Sequence, residues 1–228
     1  MEIILARKQT RSKQSFQFGC NRFNPLTENQ TKASKSIDSG MDLMVIGYAG
    51  TGKTYLAVNK AMELYTNREI KKIHIIRSAV PTRNQGFLPG TLKEKHAVYE
   101  LPYHSIFSDI CGRGDAYEIL SKTGAVTFDT TSYLRGLTFD DCVIILDEIQ
   151  NMTWEEINTV YTRLGENSRC IMCGDFRQTD KDVGKSGLDK LLKVVNQLDT
   201  IEIVEMGKND IVRSEKVKDW IIAVENTK

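Results

Sequence analysis

Eight consecutive residues, Gly47-Tyr48-Ala49-Gly50-Thr51-Gly52-Lys53-Thr54, have the types and spacing needed to hold a chain of phosphates. Three glycines let the backbone turn tightly enough to aim its N–H groups at phosphate oxygens, and a helix opening at the end of the run adds its positive pole. Lys53 supplies a mobile positive charge for the outer phosphates, and Thr54 a hydroxyl ligand for magnesium. The apolar strand before the run and the helical segment after it are the context this pattern requires. The residues expected to line a nucleotide are therefore Gly47, Ala49, Gly50, Thr51, Gly52, Lys53, Thr54 and Tyr55.

A second run, Val143-Ile144-Ile145-Leu146-Asp147-Glu148, is four apolar residues ending in two acids. A buried parallel strand delivers such acids at its carboxyl end, where open sheets bind their ligands. Asp147 is expected to hold magnesium through water and Glu148 to polarise an attacking water, so the adjacent pair favours hydrolysis over transfer to a second substrate. A third segment, Cys170-Ile171-Met172-Cys173-Gly174-Asp175-Phe176-Arg177-Gln178, runs from a strand into a polar exit, and Gln178 is placed to sense the terminal phosphate. Its Cys-x-x-Cys spacing is a weak metal signal. Side chains three apart on a strand face opposite sides, and no second Cys or His pair lies nearby.

These residues need a scaffold, and the sequence supplies one. Short apolar runs at 43–46, 72–77, 125–128, 143–146, 169–173 and 201–205 alternate with helical segments, the mark of a parallel sheet with crossover helices. The runs VIIL and HIIR are nearly continuous, as in strands covered on both faces. Thr153 with Glu156 forms a capping box, followed by Trp154, Ile157, Tyr161 and Leu164 on one face. Ser186 with Asp189 opens a helix striped with Leu188, Leu191, Leu192 and Val195. Ser214 opens a last one striped with Val217, Trp220, Ile221 and Val224. All three stripes are expected in the core. The stretch 78–103, with three of the four prolines, reads as a long functional loop holding at most one short helix. The fold class is α/β: a single P-loop domain over 25–228, with a mostly parallel sheet and helices on both faces, after a basic, flexible arm over 1–24.

Composition bounds the rest. A chain of 228 residues buries enough surface to need neither disulfides nor metal for its core. Its five cysteines are odd in number and irregularly spaced, and read as reduced thiols of a cytoplasmic protein. No apolar run approaches the ~20 residues of a membrane span, and the start lacks the basic-then-apolar order of a secretory signal. With 31 Lys and Arg against 30 Asp and Glu, bulk charge gives no argument for nucleic acid. Residues 1–40 do carry seven basic residues against three acids.

The phosphate loop GYAGTGKTYLAV resembles that of the PhoH family. So do Arg77-Ser78-Ala79-Val80 with Gly86-Phe87-Leu88-Pro89-Gly90, and Tyr133-Leu134-Arg135-Gly136 leading to ILDEIQN. GDFRQTD and Lys208-Asn209-Asp210-Ile211-Val212-Arg213 complete the match in the same order. The resemblance covers about residues 26–224. It departs at Ser78, where the family usually has proline, leaving that turn less fixed. The family's core is similar to the first motor domain of superfamily 1 helicases, which implies a RecA-like fold and ATP hydrolysis with Mg2+, coupled to single-stranded RNA or DNA. By the same similarity Asn29 and Gln30 would read the adenine edge, an amide being both donor and acceptor. No Asn-Lys-x-Asp tetrad that would read guanine is present. Arg77, Arg83, Thr131 and Tyr133 would meet the strand, with Tyr133 stacking on a base. Arg213 would be an arginine finger. With one motor domain per chain it must be lent by a neighbour, which implies a homo-oligomeric ring, a hexamer favoured, with ATP sites at subunit interfaces. The competing readings are a nucleotide-dependent switch or scaffold with slow hydrolysis, and a small-molecule kinase, whose lid arginines are not found.

Overall fold

The computed structural model describes residues 19–78, 92–131, 138–175 and 187–227. Six strands, β1 (Asp42–Gly47), β2 (Lys72–Arg77), β3 (Val126–Thr130), β4 (Cys142–Asp147), β5 (Arg169–Gly174) and β6 (Ile201–Met206), form one sheet in the order β3-β2-β4-β5-β1-β6. Every neighbouring pair is parallel. All six expected strands are present, shifted at their ends by a residue or two.

Successive residues of a strand feed two separate layers. Leu43 and Val45 of β1, Val143 and Ile145 of β4, and Ile171 and Cys173 of β5 enter one core. Helices α1 (Glu28–Asp38), α2 (Lys53–Thr66), α3 (Leu92–Cys111) and α4 (Ala116–Lys122) cover that face. Met44, Ile46, Ile144, Leu146, Cys170 and Met172 enter the other, under α5 (Trp154–Tyr161) and α6 (Leu188–Val195). Both faces are apolar because both are covered, which explains the unbroken hydrophobic runs.

Cys170 and Cys173 fall in opposite layers, both fully buried, and burial raises both thiols well above their ordinary pKa. They are inert packing groups. Among the described residues no cluster of His, Cys, Asp or Glu could hold a metal by itself.

The capping box forms as expected. Thr153 Oγ1 accepts from the Glu156 N–H at 3.2 Å, and Glu156 Oε2 accepts from the Thr153 N–H at 2.7 Å. Glu156 Oε1 also accepts from Ser78 at 3.2 Å and from Thr131, so one carboxylate pins the ends of β2 and β3 to α5. A proline at 78 could not make that bond. Thr153→Ala is expected to lower unfolding free energy by about 1 kcal/mol in a denaturant titration.

Two expectations fail. The stretch read as a loop carries α3, a 20-residue helix with Pro102 inside it. An interior proline costs ~3 kcal/mol. Against it, Tyr103, Phe107 and Ile110, spaced along one face, are each 0% exposed, and burying three such side chains gains ~1.5–3 kcal/mol apiece. The second failure is α7 (Glu215–Glu225), none of whose residues is buried. Trp220 is 72% exposed, with Val217 and Val224 also open. A stripe reports one apolar face but not what covers it. Ser214 does take the N-cap position, without a side-chain bond. The cap expected at Ser186 lies outside the described residues. Of the expected arm, residues 1–18 also lie outside them, while Cys20 and Phe23 pack against the first core.

Candidate nucleotide-binding site

β5 lies between β1 and β4, so the phosphate loop and the acidic pair leave the sheet two strands apart, roughly 10 Å, at the same edge. The register aligns Ile46 with Gly174 and Asp147 with Cys173. The gap is closed by α2, whose first turn follows the loop directly.

The loop itself is shaped by close approach. Gly47 has φ +142°, and a Cβ there would sit 2.0 Å from the Met206 carbonyl oxygen, so no other residue fits against β6. Gly52, at φ +80°, opens α2 from the left-handed region. Thr51 is fully buried and donates to the Tyr48 carbonyl at 2.8 Å, bracing the bend from inside. Gln30 braces it from outside: its amide nitrogen donates to the Thr51 carbonyl at 3.0 Å, and its amide oxygen accepts from the Leu26 N–H at 2.8 Å.

Lys53 and the acids share one pocket. Lys53 Nζ donates to the carbonyls of Gly47 and Tyr48 at 2.8 and 2.7 Å. Burial lowers its pKa, and Asp175, Cys173, Glu148 and Asp147 act against that lowering. Thr54 Oγ1 donates to Asp147 Oδ1 at 2.9 Å, joining loop and acidic strand directly. The other oxygen of Asp147 accepts from Tyr103 Oη at 2.6 Å. Burial, with Asp147 beside it, keeps the Tyr103 phenol well above its ordinary pKa and therefore a donor. Two hard oxygen ligands this close, on a hydroxyl and a carboxylate, suit Mg2+, which takes one or two protein oxygens and completes its shell with phosphates and water.

Glu148 follows at φ +57°. Burial first and then Asp147 push its pKa up, while Arg77, the Gln150 amide and Lys53 oppose the rise. Gln150 donates to Glu148 Oε2, and its amide oxygen accepts from the Asp175 N–H at 3.0 Å.

The cavity over these groups is about 640 Å³ and is lined by Ala49, Gly50, Gly52, Lys53, Thr54 and Tyr55. Tyr103, Asp147, Glu148, Asp175, Arg77 and Arg213 line it as well. A side pocket of about 210 Å³ shares Gly50, Gly52, Tyr55 and Arg213, and adds Phe23, Asn24, Leu26, Gln30 and Val212, a slot with mixed apolar and polar walls of a size for a planar ring. Arg213 lies in its own chain's cleft: a Cβ on Gly50 would be 2.9 Å from its Cγ. Asn29 lies elsewhere, its amide donating to Asp210 Oδ2 at 2.8 Å beside a separate cavity. Thr131 is buried against Glu156, and Arg77 turns into the nucleotide cleft. Arg83, Tyr133 and Gln178 lie outside the described residues.

Sequence reasoning missed Tyr103, Gln150 and Asp175. Asp175 had a signal in its Gly-Asp strand exit, and Gln150 in its position two after the acidic pair. Tyr103 was hidden by the prolines around it. Removing its hydroxyl with Tyr103→Phe is expected to cost about 2 kcal/mol of stability, read as a lower melting temperature.

A parallel sheet with a glycine-rich loop after β1 and an acidic pair after β4, joined through Thr54 and Asp147, defines a P-loop nucleoside-triphosphate-binding domain. Residues 22–225 match the family described as PhoH-like protein, and the chain belongs to that family. It is 43% identical over 170 residues to the PhoH-like protein of Bacillus subtilis (strain 168), covering 74% of this chain and 53% of that one. With Protein PhoH of Escherichia coli (strain K12) the identity is 35% over 190 residues, covering 82% and 54%. The chain thus spans about half the length of these relatives. Among solved structures, the Hef helicase domain of Pyrococcus furiosus is similar at 17% identity and a TM-score of 0.49, covering 80% of this chain and 39% of that one. Pif1 helicase from Candida albicans is similar at 17% and 0.41, covering 81% and 40%. No helix among the described residues is long and apolar enough to cross a membrane.

Proposed function

We propose that this domain binds and hydrolyses ATP in the cytoplasm and couples hydrolysis to single-stranded RNA or DNA. The observation that carries the reading is the 2.9 Å bond from Thr54 to Asp147, which puts loop and acidic pair within reach of one triphosphate. Thr54 and Asp147 would hold magnesium, which when bound neutralises charge developing on the phosphates. Lys53 exchanges its bonds to the Gly47 and Tyr48 carbonyls for the outer phosphates. Glu148 orients and polarises the attacking water, and Gln178 senses the terminal phosphate. The adenine ring occupies the slot between Tyr55, Leu26 and Val212, with Gln30 at its wall, and Asn29, beside a separate cavity, is left without contact to it. Arg213 reaches the phosphates of its own chain, and that placement needs no neighbour to supply it.

Contact with a single strand falls in this reading to Arg83 and Tyr133, since Thr131 is committed to Glu156. Assembly into a hexameric ring would line up those contacts and multiply a modest charge. The alternative, a nucleotide-dependent switch with slow hydrolysis, is favoured by one feature: Glu148 accepts a hydrogen bond from Gln150 and is drawn toward Arg77 by an ion pair at 3.9 Å.

The test is ATP turnover with and without single-stranded RNA and DNA, alongside native mass. A motor shows turnover raised by one of the strands and a mass of several subunits. Turnover indifferent to both strands supports the switch, and a fully active monomer removes the ring.

A further inference from the structure

Arg77 is the last residue of β2, and β2 pairs with β4 so that Ile76 faces Leu146. Its guanidinium is thereby set one strand over from the acidic pair. Nη2 lies 3.9 Å from Glu148 Oε1, and Cζ lies 5.7 Å from the centroid of the Tyr99 ring of α3. The other oxygen of Glu148 accepts from Gln150. That amide is 2% exposed and tied through its own oxygen to the Asp175 N–H, so it is rigid. The two grips on the carboxylate therefore differ in kind. Gln150 is buried and fixed; Arg77 is a long contact on the open side, where the Glu148 side chain is 41% exposed.

The 3.9 Å contact is an ion pair that leaves lone pairs of Glu148 open to water, so what Arg77 sets is the direction in which the carboxylate is drawn, not whether it can accept a bond. Arg77 also lines the cavity that holds Lys53 and Arg213. A guanidinium in that position prefers a phosphate, which offers it a planar, doubly hydrogen-bonded contact, over a carboxylate 3.9 Å away.

We propose that Arg77 is a positioning residue that holds Glu148 until the terminal phosphate of the nucleotide draws the guanidinium away, so that the carboxylate is released only when that phosphate is present. The proposal rests on the ATPase reading of the site. It gives the chain a means, within one subunit, of telling a triphosphate from a diphosphate.

The test compares Arg77→Gln and Arg77→Lys with the wild type in two measurements: steady-state ATP turnover, and equilibrium binding of ADP and of the slowly hydrolysed analogue ATPγS. In Arg77→Gln the lost phosphate contact should weaken ATPγS and raise KM for ATP roughly tenfold, with ADP affinity unmoved. The freed Glu148 should raise kcat by up to about fivefold, the range of an exposed ion pair. Arg77→Lys, which keeps the charge but not the fork, should fall between. Equal losses of ADP and ATPγS affinity, or a fall in kcat with KM unchanged, would overturn the proposal. Absence of turnover in the wild type would remove the hydrolase reading instead, and the ratio of ADP to ATPγS affinities would still decide whether Arg77 meets the terminal phosphate.

Discussion

Glu148→Gln is expected to lower ATP turnover by about 10²- to 10³-fold while leaving Mg-ATP binding intact. Glutamine keeps the shape of the side chain and can retain a bond to Gln150, but it cannot take a proton from water. Asp147, the bond from Thr54 and the cation Lys53 are untouched, so the binding side of the site remains. Burial and the neighbouring Asp147 already push the Glu148 pKa up, and the amide relieves that crowding of charge, which should make bound nucleotide if anything tighter. Single-turnover kinetics with a separate binding measurement distinguish these effects. Loss of binding together with turnover would instead make Glu148 part of the nucleotide's grip.

The second large effect is on binding. Lys53→Ala removes the cation facing Asp175, Glu148 and Asp147, and leaves Arg77 and Arg213 as the cleft's remaining cations against those acids when an anionic triphosphate binds. Charge-assisted bonds of this kind contribute ~1.5–3 kcal/mol each. ATP affinity should therefore fall at least tenfold to a hundredfold, and the rise in melting temperature that Mg-ATP gives the wild type should vanish. The variant also frees the Gly47 and Tyr48 carbonyls, so its melting temperature without nucleotide is the necessary control. A variant stabilised by ATP as strongly as the wild type would show that Lys53 faces its own loop rather than the ligand.

Much of this site was legible because its signals are local. The spacing of Gly47, Gly50, Gly52, Lys53 and Thr54, and the acids closing an apolar run at Asp147 and Glu148, are written along single elements whose physics is short-range. The six strands were legible for the same reason, since runs covered on both faces carry no polar interruption. What was hidden depends on partners distant in sequence. The order of strands, with β5 between β1 and β4, leaves no mark on any one of them. Tyr103 meets Asp147 from 44 residues away, on a helix that local rules end at Pro102 but that three buried side chains sustain. Arg77 was expected to meet a nucleic-acid strand, yet its pairing with Glu148 from the neighbouring strand β4 turns it into the cleft. The exposed stripe of α7 shows the reverse case, a core pattern without a described cover.

The central claim is that the loop around Lys53 and the acids at 147 and 148 hold one metal-bound triphosphate between them. Calorimetric titration of ATP into the protein, in Mg2+ and again in EDTA, tests it most directly, with Asp147→Asn beside the wild type. The wild type should bind ATP markedly tighter in Mg2+, and Asp147→Asn should lose most of that gain. Equal affinity of the wild type with and without the metal, or no affinity for ATP at all, would contradict the account.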